Sequence, residues 1–474
     1  MVLLLLAAVL IWHERSLESV QEYTPVNKFL ALPENAPENL ALAIRIPTIS
    51  YEEADAALMD TSAFKDFYHL LEEMYPRVHQ SLQVETVNDL SLVYEWAGSN
   101  PDKQPVLLLA HMDVVPVEDS ESWTHPPFAG EIDNGFVWGR GTLDDKGSIV
   151  AIMEAAERLL EEGFIPERSV YFAFGHDEEI GGRDGAAEIA KRFKERGIQF
   201  EYSLDEGGTV ADGIVPGMDS PVALIGIAEK GYLSLELSVR TTGGHSSMPP
   251  DLNSIVIISS AVKRLQANPF PARISEAVEA FLDRIGPEQS FVNRLVIANR
   301  WLFEPLIIRQ YSQTPPGNAT IRTTTAPTII RAGVKDNVIP EEASVIVNFR
   351  LLPGITKEEV IEHVRHVVDD ERIQISQFGP YTPASPVSSY ESDGFNRIRN
   401  LARDHFESIA VAPYLVIAGT DSRHYTEVAD NNYRFLPMRL DSDDLDRIHG
   451  TDERISIDNL RTMISFYYYF LKDH

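Results

Sequence analysis

The chain contains no cysteine. Disulfides, thiolate metal sites and a cysteine nucleophile are therefore excluded, and any metal must be held by His, Asp and Glu. Basic residues are in deficit: 41 Lys and Arg stand against 72 Asp and Glu, a formal net charge of −31. A surface of that sign repels phosphate backbones and argues against nucleic acid as a partner. Internal repeats and low-complexity tracts are missing as well. So is a hydrophobic run of membrane-spanning length, since the apolar stretch at residues 2–12 is too short for a standard span. That stretch has the length of a signal-peptide apolar region, but it lacks a basic leader and a clear small-x-small cleavage site. Residues 1–20 are expected to be a signal or short membrane anchor. The protein is then expected to be secreted or membrane-anchored, with membrane association through this segment.

What is present suits two or three domains: 474 residues, 44% of them apolar. The pattern divides into two kinds. From Gln104 to Gly213 strands and helices alternate. Strands are read at Val106–Ala110, Ser169–Phe174 and Phe200–Leu204, with helices over Gly147–Glu162 and Asp184–Arg196. This is the signature of a mainly parallel sheet covered by helices. From Tyr232 the strands alternate polar and apolar residues, as half-buried antiparallel strands do. Helices are expected near Asp251–Gln266 and over Thr356–Asp369, the latter opened by a Thr356/Glu359 capping box. The expected fold is α/β: a mainly parallel-sheet domain at 36–229 and 379–474, with an α+β two-layer domain inserted at 230–378. Residues 269–330 read as an extra apolar insertion within it.

The chemistry-bearing residues collect at strand ends. His111-Met112-Asp113 follows the first strand, Asp177-Glu178-Glu179 the second and Asp205-Glu206 the third. Sites in open α/β sheets form outside the carboxyl ends of the strands. Asp113, close to His111, suits the role of holding an imidazole in the tautomer a metal needs. Gly139-Arg140-Gly141-Thr142-Leu143-Asp144-Asp145-Lys146-Gly147 forms a tight turn before a helix. It lacks the spacing of a phosphate-binding loop. Mixed nitrogen and oxygen donors point to zinc, with cobalt or manganese as substitutes.

Taken in order, His-x-Asp, Gly-Arg-Gly-Thr-x-Asp-Asp-Lys, Asp-Glu-Glu, Leu-Asp-Glu-Gly-Gly and a late Ile-His-Gly resemble the co-catalytic dizinc metallopeptidases. That family includes aminoacylase-1, carboxypeptidase S, carnosinase-type dipeptidases and bacterial glutamate carboxypeptidase. The resemblance runs from about residue 40 to the C-terminus. Residues 301–306, 322–325, 337–340 and 419–423 are similar to the subgroup of carboxypeptidase S and the N-fatty-acyl-amino-acid synthase/hydrolases, and more so to the latter. The resemblance implies two zinc ions per subunit bridged by Asp144. His111 and an acid of the third cluster would hold one, and Glu179 and His449 the other. Either Asp205 or Glu206 fills the third-cluster place; Asp205 is favoured because it comes straight off the strand. Glu178 would be the general base, Asp113 would orient His111, and the Asp144–Asp145 peptide would be cis. The resemblance makes 36–229 and 379–474 the dizinc catalytic domain and 230–378 an inserted lid and dimerisation domain, in which His245 would reach the active site of a second subunit and stabilise the oxyanion, implying a homodimer paired through the lids. Asn337 and Arg350 would contact substrate, Arg350 by pairing with a carboxylate. Gly419 and Arg423 would line the site.

The implied reaction is hydrolysis of an amide next to a free carboxylate. The substrate is a small N-acyl amino acid, most closely a fatty-acyl one, with a carboxypeptidase or dipeptidase acting on short peptides as the alternative. The apolar residues of 291–308 would line an acyl channel or serve as ordinary packing. A metal-binding module without activity is disfavoured because Glu178 is intact.

Overall fold

The computed structural model describes residues 1–23, 26, 28–51 and 58–473. Its larger unit is built on a ten-stranded sheet. At the centre, Val170–Gly175, Val106–His111 and Tyr202–Asp205 lie side by side and parallel. All six residues of Val106–His111 are buried, as expected for a strand covered on both faces. The helix Lys146–Glu161 and the C-terminal helix Ile457–Lys472 pack together in the core on one face. The helix Ala186–Glu195 covers the other face with Tyr425 and Val428. Antiparallel strands Gln83–Val87 and Ser91–Trp96 close one edge. The sheet is thus mixed but mainly parallel through the region that carries the chemistry.

The smaller unit is a four-stranded antiparallel sheet in the order Thr324–Ala332, Glu342–Leu351, Gly231–Arg240, Gln374–Thr382. Leu233, Leu235 and Leu237 alternate inward beneath the helices Ser254–Ala267 and Lys357–Val368. The expected capping box of Thr356 and Glu359 is present. The last strand of this sheet continues to Thr382, past the boundary read near 378. Thr324–Ala332, hidden in the sequence by Pro327, is an edge strand whose register shifts between Pro327 and Ile329. A proline fits there because an edge residue has no second ladder to supply.

The insertion read at 269–330 is mostly helical, with helices Glu276–Ile285, Phe291–Ala298, Arg300–Tyr311 and Pro315–Ile321. Although these helices lie within the lid in sequence, they pack outside its core. The first of these helices lies against the strand Ala410–Val416 of the large sheet, and its Ala277 and Ala280 join the large core. Ile297 and Ile307 fill a separate small core with Val278, Leu282 and Ile321. Phe291, Val292, Trp301, Leu302 and Leu306 face outward. The N-terminal apolar run forms a helix, Val2–Arg15, which docks on this insertion through Glu14–Arg294 at 2.6 Å and His13–Asn299 at 2.8 Å. Among the described residues no helix is long and apolar enough to cross a membrane.

Candidate metal centre

Parallel pairing of three adjacent strands delivers His111, Glu178–Glu179 and Asp205–Glu206 to one end of the sheet. His111 is buried. Its Nδ1 lies 3.0 Å from the carbonyl oxygen of Asp113 and 3.4 Å from the Asp113 carboxylate. A proton on Nδ1 is donated there, which leaves the Nε2 lone pair facing inward. Nε2 lies 2.8 Å from Asp144 Oδ1 and 3.6 Å from Glu206 Oε1. The other oxygen of Asp144 lies 3.0 Å from His449 Nε2, which in turn lies 3.1 Å from Glu179 Oε2. One carboxylate therefore faces both histidines. The peptide bond from Asp144 to Asp145 is cis.

Asp113 does more than steady the imidazole. Its two carboxylate oxygens accept the backbone N–H of Glu178 at 3.0 Å and of Glu179 at 3.1 Å, and Ser50 Oγ donates to it at 2.7 Å. The same side chain thus aligns His111 and the turn carrying the two glutamates. This second task could not be read from His-x-Asp spacing, because it depends on the neighbouring strand.

The third cluster departs from expectation. Asp205 ends its strand but points beneath the loop at 420–425. Its oxygens accept the N–H groups of Ser422 at 2.7 Å and Glu206 at 3.0 Å. It is Glu206 that turns toward His111. Leaving the strand straight puts Asp205 in the interior, and the next residue reaches the opening. It is therefore Glu206, and not the favoured Asp205, whose carboxylate converges with His111 in this structure.

The electrostatics describe a crowded acidic cluster. Burial, then the Asp144 charge, pushes Glu206 up to about 8. Burial pushes Glu178 well above the ordinary carboxylate range, with Asp421 and Glu206 adding to it and His111 and Arg423 opposing. Glu179 is raised by burial and by Asp144. Burial also acts on Asp144, but the two histidines outweigh it and hold its carboxyl low. His449 is raised to about 10 by its hydrogen bonds to Asp144 and Glu179. Buried carboxylates at this density call for cations. Glu179 Oε1 is buried without a hydrogen-bond partner. Among the described residues, His111, Glu178 and Glu206 form one group whose ligand atoms converge within 4.8 Å, and His111, Asp144 and Glu179 form another. The donor set is imidazole and carboxylate, and it fits two divalent ions.

Around this cluster the arrangement is uneven. Arg423 Nη2 lies 3.7 Å from Glu178 Oε1. Arg350, on the lid strand, stacks over Tyr232 at 4.9 Å; burial lowers its pKa, with Tyr232 and Glu178 opposing and Arg423 adding to it. Gly419 closes against Arg423: a Cβ there would fall 2.5 Å from Nη1. Gly419→Ala is therefore expected to displace the guanidinium and lower kcat/KM severalfold, while the melting temperature hardly moves because the arginine tip can swing aside. Steady-state kinetics beside a thermal melt check this; an unchanged kcat/KM would show that the Arg423 position is unimportant. His245 and Asn337 are not among the converging residues. Both are exposed on the lid, where His245 Nδ1 is held by Ser247 Oγ at 2.8 Å and the Asn337 carbonyl accepts from Ser246 N–H at 3.2 Å.

Residues 107–473 match the profile described as Peptidase family M20/M25/M40. The chain belongs to this family. It is an enzyme of the metal-dependent hydrolase type that acts on amide or peptide bonds. It is 44% identical over 438 residues to a probable carboxypeptidase S-like 2 of Dictyostelium discoideum, covering 92% of this chain and 84% of that protein. It is 41% identical over 434 residues to an N-fatty-acyl-amino acid synthase/hydrolase of Xenopus tropicalis, covering 91% and 84%. The fold is that of an M20 family metallo-carboxypeptidase of Sulfolobus solfataricus, with a TM-score of 0.66 at 19% identity over 93% of this chain and 99% of the other.

Proposed function

We propose that the protein hydrolyses N-acyl amino acids with long acyl chains to a fatty acid and an amino acid, and condenses them in reverse when the products are abundant. The observation that carries this reading is the surrounding of Glu178. It is buried beside the cluster that joins His111, Asp144 and His449, with Arg423 at 3.7 Å and the charge of Arg350 reaching it from the lid. Two cations next to a proton acceptor suit a substrate whose scissile amide adjoins a free carboxylate. The similarity to N-fatty-acyl-amino acid synthase/hydrolases supports the long acyl chain.

Two zinc ions, replaceable by cobalt or manganese, are the proposed cofactors; His111 with Glu206, Glu179 with His449, and Asp144 would hold them. When bound they would supply Lewis acidity for amide hydrolysis. Glu178 accepts a proton from the attacking water and returns it to the leaving nitrogen. Burial raises its pKa above the ordinary carboxylate range, the direction that suits a group taking up and returning a proton. Arg350 and Arg423 fix the substrate carboxylate, with Gly419 and Asn337 lining the approach. His245 of a partner subunit donates to the oxyanion; its exposure on the lid is consistent with a homodimer formed through the lids. The helix Val2–Arg15, with Leu3, Leu4 and Trp12 exposed, is the proposed membrane-associating segment of a secreted or membrane-anchored protein.

A carboxypeptidase or dipeptidase activity is the second reading, favoured by the 44% identity to a carboxypeptidase S-like protein. Turnover of N-oleoyl-phenylalanine, N-acetyl-methionine and Gly-Leu by zinc-loaded protein, followed by mass spectrometry with Glu178→Gln as blank, separates them. The oleoyl substrate is expected to show the highest kcat/KM. A preference for the dipeptide or the acetyl substrate would replace the fatty-acyl reading.

A further inference from the structure

Asp144 and His449 come from segments far apart in sequence, and two buried charged residues without a role in the chemistry above lie between their loops. Glu453 is fully buried. Its Oε1 accepts three backbone N–H groups of the Asp144 loop: Gly141 and Leu143 at 2.9 Å and Asp144 itself at 3.4 Å. Its Oε2 accepts from Arg140 Nη1 at 2.5 Å. Arg140, 3% exposed, turns Nη2 to the carbonyl oxygens of His449 at 2.9 Å and Gly450 at 3.2 Å. The grip is reciprocal. A carboxylate from the His449 segment holds the Asp144 loop, and a guanidinium from the Asp144 loop holds the His449 segment. Strands Phe136–Trp138 and Arg454–Ser456, adjoining the two loops, pair with each other.

Both loops need external fixing. Gly141 has φ +92°, and a Cβ there would strike Val114 Cγ1 at 2.8 Å. His449 has φ +59°, the left-handed region, and its side chain is 49% exposed. Little packing therefore holds the ring, and its backbone is held through the carbonyl that Arg140 grips. His111 is positioned separately, by its own strand and by Asp113.

We propose that Arg140 and Glu453 are positioning residues that set Asp144 against His449. They would thereby govern the half of the metal centre that His449 shares with Glu179, without touching metal or substrate. The inference rests on the two-metal reading above. Hydrogen-bonding partners behind metal ligands are typically worth about 10–100-fold in metal affinity.

The test is zinc stoichiometry and chelator-competition affinity for the full chain, Glu453→Gln and Arg140→Lys, with amide hydrogen exchange on the metal-free proteins. Glu453→Gln keeps the shape and an acceptor oxygen; Arg140→Lys keeps the charge but cannot reach both carbonyls and the carboxylate. The unaltered chain is expected to bind two zinc ions. Each variant should bind the ion beside Glu179 and His449 about 10–100-fold more weakly, with a smaller loss at the ion beside His111, which Asp144 also serves, and with faster exchange at Gly141 and Leu143. Two ions at unaltered affinity, or two weakened equally, would overturn the proposal. In the unaltered metal-free chain the Gly141 and Leu143 amides should already be protected; rapid exchange there would overturn it even if neither variant folds. An unaltered chain that binds fewer than two zinc ions would instead overturn the two-metal reading.

Discussion

Glu178→Gln is expected to leave the metal content unchanged and lower kcat by about 10²–10⁴-fold, the range general acid–base catalysis supplies. The exchange is nearly isosteric. The backbone N–H of residue 178 still donates to Asp113, so the turn that carries Glu179 stays in place. Arg423 loses a charged neighbour at 3.7 Å, but the loop bearing it is held elsewhere: Thr420 N–H donates to Glu229 at 2.8 Å and Ser422 N–H to Asp205 at 2.7 Å. What disappears is a group that takes a proton from water and gives it to nitrogen. The checks are kcat on the preferred N-acyl amino acid and metal content by elemental analysis of the same sample. A variant with two ions and nearly full turnover would remove Glu178 from the mechanism. A variant that has lost an ion would make it a ligand instead.

Asp144→Ala is expected to cost more, because it affects both halves of the centre. Among the described residues Asp144 is the carboxylate whose two oxygens face His111 and His449 separately, at 2.8 and 3.0 Å. Without it the two imidazoles face Glu206 and Glu179 with no shared ligand. Zinc content should drop by at least one ion per chain, and kcat/KM should fall by three orders of magnitude or more, as loss of several kcal/mol of Lewis-acid stabilisation requires. Excess zinc should not restore activity, since the fault is geometric. Full zinc content with near-normal turnover would show that Asp144 does not bridge.

The residues that can be read from sequence are those fixed by strand ends. His111, Glu178 and Glu179 follow directly from apolar strands, and the alternation of Tyr232–Val239 marks the lid. His449 and Asp144 were legible through the ordered motifs alone, since nothing in local spacing shows that a loop before a helix and a turn near the C-terminus meet. Asp205 and Glu206 could not be separated. Which one faces the opening depends on the Ser422 N–H, which belongs to a loop far away in sequence. The helices of the insertion were hidden for another reason. Arg300–Tyr311 carries apolar residues all round and contains Pro305, so it shows no clear helical stripe. The placement of Glu276–Ile285 against the large sheet rather than the lid is a tertiary outcome with no local signal. The Arg140–Glu453 grip was invisible too, because a buried carboxylate accepting backbone N–H groups looks in sequence like any surface glutamate.

The central claim is a pair of metal ions sharing Asp144. Crystals of zinc-loaded protein, measured on either side of the zinc absorption edge, test it most directly. The account expects two anomalous peaks per chain, one beside His111 and Glu206 and the other beside Glu179 and His449, each within bonding distance of one Asp144 oxygen. A single peak, or a pair in which Asp205 rather than Glu206 is the ligand, would contradict it.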